Sequence, residues 1–247
     1  MNIASSAPVA LVTGGSRGIG AAISRRLAAD GFAVAINYAG RHQEAEALAT
    51  ELIADGGQAL ALQADVANPQ SVQSLFDAIE ARFGGVDVVV NSAGVLELAS
   101  LAESEDSLFD RLIAINLKGA FNVLRESARR VRDGGRIVTL STSVVGFKLE
   151  RYGVYAASKA AVETMSAILS KELRGRGITV NAVAPGPTAT SLFLEGKSAE
   201  LIDRLAKMSP LERLGTPDDI AAAVAFLAGA DGGWINGQVL RANGGAA

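Results

Sequence analysis

The sequence contains no cysteine and one histidine, His42. The first absence removes disulfides, thiolate zinc sites and a cysteine nucleophile. The second leaves no basis for histidine-centred catalysis or a histidine metal cluster, so no metal is expected. Charge of one sign is also lacking. The formal net charge is −3, and the lysines and arginines are scattered, which offers no basic field to a nucleic acid. The N-terminal stretch lacks the positive region and long apolar core of a signal peptide. The one long uncharged run, residues 177–194, holds Asn181, Pro185, Gly186 and Pro187, which argues against a membrane span. The expectation is a cytoplasmic protein whose acid–base chemistry falls to tyrosine, lysine or a carboxylate.

What is present is an ample core. Apolar residues make up 49% of the 247 and charged residues 20%, a balance typical of a folded chain. Short apolar runs at 9–12, 33–37, 59–63, 87–91, 136–140, 178–183 and 238–241 read as strands. Helix-period segments lie between them at 19–29, 42–55, 69–82, 105–131, 153–174 and 217–228. Strands apolar on both faces, alternating with helices, predict a doubly wound, three-layer α/β fold around a seven-stranded parallel sheet. No repeat or linker interrupts residues 1–247, so one domain is expected. The rhythm breaks at 190–213, an insertion after a strand that reads as a lid.

A glycine turn, Thr13-Gly14-Gly15-Ser16-Arg17-Gly18-Ile19-Gly20, follows the first strand and opens a helix. That context suits a dinucleotide: Gly14 permits the tight turn, Gly18 lets a pyrophosphate approach, and Gly20 lets the helix pack on the sheet. The helix N-terminus offers free N–H groups to the phosphates. An NAD site usually carries an acid at the end of the second strand. Here that end reads Asn37-Tyr38-Ala39-Gly40-Arg41, with no acid before Glu44. Arg17 and Arg41 beside it invite a 2′-phosphate, which predicts NADPH in preference to NAD(H).

Tyr155-Ala156-Ala157-Ser158-Lys159 places a phenol and an ammonium four residues apart, on one helix face. A nearby cation lowers a phenol pKa from its usual value near ~10, which makes a proton donor useful near neutral pH. Together with the glycine turn this reads as a nicotinamide-dependent oxidoreductase.

These motifs, with others in the same order, resemble the short-chain dehydrogenase/reductase family from about residue 8 to the C-terminus. The family's TGxxxGxG corresponds to residues 13–20, its Asp-Val pair to Asp65-Val66, and its N-N-A-G motif to Asn91-Ser92-Ala93-Gly94, with Ser92 a departure. Its helix asparagine corresponds to Asn116, its Y-x-x-x-K to Tyr155 and Lys159, and its P-G motif to Pro185-Gly186. The resemblance implies a Rossmann fold and hydride transfer between NADPH and a carbonyl. It makes Tyr155 the proton donor and Lys159 the group that lowers the phenol pKa and holds the nicotinamide ribose. Asn116 would hold a water that feeds protons to Lys159. Asp65 and Val66 would hold the adenine, and Asn91, Ala93 and Gly94 would shape the floor of the cofactor site. The Thr188 backbone would hold the carboxamide, with the Thr190 hydroxyl near the phosphates.

A second hydroxyl donor to the carbonyl is implied as well. Counting back from Tyr155 lands on Thr142, whereas the local Ser-Val-Val-Gly pattern lands on Ser143 and is favoured narrowly; both stand. The substrate walls fall at 95–100, 144–152 and 190–213, with Leu96, Leu98, Val144, Phe147, Leu192 and Phe193 making a partly apolar pocket for a small carbonyl or alcohol substrate. A 3-oxoacyl thioester is the alternative, with Arg125, Arg129, Arg130 and Arg132 as a docking face for a carrier protein. A non-catalytic nucleotide sensor on the same fold is the competing class. Relatives of this kind are commonly homotetramers, joined through the two long helices and the C-terminal strand.

Overall fold

The computed structural model describes residues 7–247, apart from the side chain of Leu192. Seven parallel strands form one sheet: β1 (Val9–Thr13), β2 (Ala33–Tyr38), β3 (Gln58–Gln63), β4 (Val86–Asn91), β5 (Val131–Leu140), β6 (Thr179–Pro185) and β7 (Val239–Ala242). Their spatial order is β3-β2-β1-β4-β5-β6-β7. Every residue of β1, β2 and β6 is buried, as continuous apolar runs in a sheet covered on both faces should be. Helices α1 (Gly18–Ala29), α2 (His42–Ala54) and α10 (Pro217–Ala228) cover one face. Their Ile23, Leu27, Leu48, Leu52, Ile220 and Val224 pack into one core. The opposite face carries α3 (Pro69–Phe83), α5 (Ala120–Arg130) and α7 (Gly153–Glu172). There Phe76, Ile79, Val123, Leu124 and Leu169 form a second core.

The chain leaves β1 in one direction and returns at β4 on its other side, so the strand order reverses between them. The two connections then diverge, and a crevice opens beyond the carboxyl ends of the strands. Two smaller helices overhang it: α8 (Ser191–Leu194) and α9 (Ala199–Ala206). Each starts with a hydroxyl cap, Thr190 accepting from the Phe193 N–H and Ser198 from the Leu201 N–H.

Two expected elements differ. The helix predicted over 105–131 is three pieces: α4 (Asp106–Leu112), a wide π-helical turn (Ile113–Gly119), then α5. Asn116 sits in the wide turn, its side chain bonded to another segment instead of its own helix: Oδ1 accepts from the Val95 N–H at 2.8 Å and Nδ2 donates to the Val95 carbonyl at 2.9 Å. Strand β5 begins at Val131 and not at 136. Val131 pairs with Val86, and the ladder then jumps to Val88 against Arg136. Gly134, at φ +82°, lets the extra residues loop out.

Asn37 is a polar residue inside the buried strand β2, 1% exposed. Its amide donates to the Ala64 carbonyl at 3.0 Å and the Leu62 carbonyl at 3.3 Å, and its Oδ1 accepts from the Gly14 N–H at 3.4 Å. One side chain thereby ties β2 to both the glycine turn and the end of β3. Asn37→Ala strands those buried groups and is expected to cost about 1–3 kcal/mol in urea unfolding. A loss under about 0.5 kcal/mol would mean that the brace carries no weight.

Candidate active site

The crevice is a cleft open to solvent and lined from the glycine turn to Met208. At its β1 end the backbone is crowded in a way only glycine allows. Gly14 has φ +61°, and a Cβ there would meet the Ala93 Cα at 2.9 Å. Thr13 fixes the neighbouring loop: its Oγ1 accepts from the Ser92 and Ala93 N–H groups at 3.1 Å and donates to Asn91 Oδ1 at 3.2 Å. Helix α1 starts at Gly18 with no side-chain cap bond from Arg17. Its first N–H groups and partial positive charge therefore face the cleft beside Gly14, Arg17, Gly18, Ile19 and Gly20. A glycine cradle with uncapped amides fits a pyrophosphate. Ser16 belongs to the turn without lining the cleft.

The expected adenine end is less complete. Tyr38 is buried, with its hydroxyl 2.7 Å from His42 Nδ1. The Ala39 carbonyl accepts from Gln63 at 2.9 Å. Arg41 is exposed and pairs with Glu44 at 2.7 Å, and Arg17 is exposed on the cleft edge. Asp65 is exposed, and its Oδ1 accepts from the Ala67 N–H at 2.9 Å. Val66 is buried and lies against Gly119. Apart from Arg17, none of these lines the main cleft. They border the ends of β2 and β3, next to the glycine turn.

At the β5–β6 end, Tyr155 and Lys159 of α7 share the cleft with Thr142, and Gly94 lies close by. A Cβ on Gly94 would stand 3.3 Å from Asn116 Oδ1 and 3.4 Å from Lys159 Nζ. The two candidate hydroxyls both line the cleft but are bonded differently. Thr142 lies near enough to the Tyr155 phenol to draw its pKa down, and its Oγ1 accepts from the Val144 N–H at 3.3 Å. Ser143 is turned to the scaffold: its hydroxyl donates to the Ala184 carbonyl at 3.0 Å and accepts from the Asn243 amide at 3.0 Å. The neighbouring Ser141 donates to Glu163 at 2.5 Å. Sequence gave no signal for Asn243 or Glu163. Asn37 did carry one, as an amide inside an apolar strand.

The expected acidification of Tyr155 is absent from the protein alone. Burial pushes the phenol up to about 12, only partly opposed by the neighbouring Thr142 hydroxyl. Lys159 is buried too. Burial lowers its ammonium to about 8, and Nζ donates to the Leu140 carbonyl at 2.8 Å. The physical reason is desolvation: a dry site penalises a phenolate and an ammonium alike.

Pro185, Gly186, Pro187, Thr188 and Thr190 carry the cleft wall from β6 to the overhang. Thr188 is buried, donates its hydroxyl to the Gly186 carbonyl at 2.9 Å and bridges to Gly215. Leu96, Val144, Phe147 and Phe193 line the cleft as expected, joined by Leu149, Tyr152, Leu205 and Met208; Leu98 does not. The side chain of Leu192 lies outside the described residues. The proposed docking face is largely neutralised. Arg129 pairs with Glu126, Arg130 with Asp77 and Glu80, and Arg132 with Asp87, while Arg125 lies over the Phe121 ring. Arg132 also belongs to β5 and not to the helix. No helix among the described residues is long and apolar enough to cross a membrane, and none of them cluster as metal ligands.

Comparison with known proteins agrees with this geometry. A family model described as enoyl-(acyl carrier protein) reductase matches residues 14–247. A short-chain type dehydrogenase/reductase of Picea abies is 47% identical, covering 96% of this chain and 91% of its own length. An NADPH-dependent aldehyde reductase-like protein of Arabidopsis thaliana, named as chloroplastic, is 45% identical over 96% of this chain and 93% of its own. The crystal structure of a short-chain dehydrogenase from Burkholderia cenocepacia in complex with NADP superposes with a TM-score of 0.91 at 39% identity, covering 97% of both chains. By fold, motif order and likeness over nearly its whole length, this chain belongs to the short-chain dehydrogenase/reductase family.

Proposed function

We propose that this protein is an NADPH-dependent oxidoreductase that reduces a ketone or aldehyde, with Tyr155 as the proton donor. The observation that carries the reading is the meeting of Tyr155, Thr142 and Lys159 in the cleft that begins at the glycine cradle. The missing acid at the end of β2 and the exposed Arg17 support NADPH over NADH. When bound, NADPH supplies the hydride. The chain does the rest. Thr142 and Tyr155 present hydroxyls to one carbonyl oxygen, and Tyr155 passes its proton to that oxygen as it becomes an alkoxide. An alkoxide is a stronger base than a phenolate, so a phenol protonated at neutral pH is in the right state to donate. Lys159 holds the ribose hydroxyls, and its charge steadies the phenolate left behind. Asn116, in its wide turn, orders the backbone around Val95 and the proton path to Lys159.

The proposal carries further parts. Residues 1–247 act as one domain, with 190–213 as the lid; Phe193, Leu205 and Met208 on the cleft wall support this. Asp65 and Val66 hold the adenine, Tyr38, Ala39 and Arg41 border the 2′-phosphate, and the Thr188 backbone and Thr190 hydroxyl hold the nicotinamide half. A homotetramer is supported by exposed apolar residues on the long helices (Phe109, Phe121, Ile168) and around β7 (Trp234, Val239, Leu240). A cytoplasmic location is carried by the sequence alone.

Loss of NADPH absorbance across a panel of aldehydes and ketones tests the reading. Tyr155→Phe is expected to abolish turnover and keep NADPH binding. NADPH binding by the wild type without any oxidation would overturn it. Thr142→Ala is expected to lower kcat by about 10²-fold, whereas Ser143→Ala, which loses only scaffold bonds, should chiefly lower the melting temperature. The reverse ranking would return the donor role to Ser143.

Lys159 gives a pH signature. Its depressed pKa of about 8 means that the ammonium is present below pH 8 and lost above it. If binding needs the ammonium, the dissociation constant for NADPH rises roughly tenfold from pH 7 to pH 9. Lys159→Met should bind weakly at both pH values and flatten that dependence. A slope unchanged in the variant would assign it to another group.

A further inference from the structure

Tyr152 lies one turn before Tyr155, at the N-cap of α7, so Tyr152, Tyr155 and Lys159 form one stripe along the helix into the cleft. The two phenol rings meet edge to face, with centroids 6.3 Å apart. Ser141 and Ser143 spend their hydroxyls on Glu163 and the Ala184 carbonyl. The Tyr152 hydroxyl, by contrast, has no hydrogen-bond partner among the described residues. Partial burial raises its pKa, so at neutral pH it stays a protonated donor. The wall around it is apolar, with Leu96, Phe147, Leu149 and Met208, and the only charged residues lining the cleft, among the described residues, are Arg17, at the glycine turn, and Lys159. A carboxylate on the substrate would find one cation in this half of the cleft, Lys159, and that ammonium is the group assigned above to the cofactor's ribose hydroxyls. A second uncharged oxygen would find a donor.

We propose that Tyr152 is a substrate-binding residue, its hydroxyl donating to a second, uncharged oxygen of a largely apolar carbonyl compound such as a vicinal diketone or an α-hydroxy ketone. The proposal rests on the carbonyl-reductase reading above. One phenol protonates the carbonyl being reduced, and the other, a helix turn away, holds the neighbouring oxygen and so selects which carbonyl faces Tyr155. A partly buried donor gains most from a ligand that satisfies it, and a ligand lacking the acceptor leaves it unpaired.

The test compares 1-phenyl-1,2-propanedione with propiophenone, which shares its carbon skeleton but lacks the second oxygen, in the wild type and in Tyr152→Phe. The variant should lose about tenfold in kcat/KM on the diketone, mostly through KM, a change equivalent to one hydrogen bond. Propiophenone turnover, the dissociation constant for NADPH and the melting temperature should stay within about twofold or a few degrees. An equal loss on both ketones would reduce Tyr152 to a packing partner of Tyr155, and no loss on either would remove it from the substrate; each overturns the proposal. The wild type gives a second arm that needs no variant. Phenylglyoxylate, an aryl α-oxo carboxylate, should show at least a tenfold lower kcat/KM than the diketone, and equal use would overturn the preference for a neutral substrate. NADPH binding with no carbonyl reduced at all would instead bring down the reading on which this one rests.

Discussion

A buried ammonium governs this cleft. Lys159 is 6% exposed and has one protein hydrogen bond, to the Leu140 carbonyl. An ammonium carries three donors, so the protein leaves most of its capacity unmet, and burial lowers its pKa accordingly. Such a group favours any ligand that brings oxygen acceptors to it. Tyr155 obeys the same constraint with the opposite sign, since burial keeps its proton on. The site is therefore set as a protonated phenol beside a cation short of partners. The charge relation expected from Y-x-x-x-K is therefore not a property of the helix alone.

The scaffold makes that setting possible by satisfying nearly everything else. Thr13 answers two loop amides and Asn91, Asn37 bridges three segments, and Ser143 is bonded to Ala184 and Asn243. These bonds fix the ends of β1, β2, β4 and β5, from which the cleft is built. The wide turn around Asn116 breaks a helix to place one amide against Val95. Interrupted helices of this kind are frequent at functional sites. Here the interruption brings Asn116 and Lys159 to the two sides of Gly94, where no Cβ stands between them.

Much of the fold was legible before any coordinates. Runs such as Val-Ala-Leu-Val and Ala-Val-Ala-Ile-Asn are apolar on both faces, and only a sheet covered on both sides buries them. Tyr155 and Lys159 were legible as a pair because helical spacing is local. The exceptions are equally physical. Strand β5 begins five residues early because Val131 finds Val86 across the sheet, a partner 45 positions away in the chain. The arginines of α5 looked like a docking face, yet Arg130 is neutralised by Asp77 and Glu80 of α3, which no helical repeat of its own would disclose.

The sequence by itself determined the layered fold, the phosphate cradle and the identity of the phenol and ammonium, because strand alternation, glycine spacing and helix period act over a few residues. Only the tertiary structure shows how each candidate hydroxyl is held. Thr142 and Ser143 are adjacent on one loop, and neither spacing nor pattern separates them. Ala184 on β6 and Asn243 beyond β7 bond Ser143 from 41 and 100 residues away, while Thr142 accepts from the adjacent Val144 N–H. The same packing set both pKa directions, because desolvation depends on what the whole fold brings to bear on an atom.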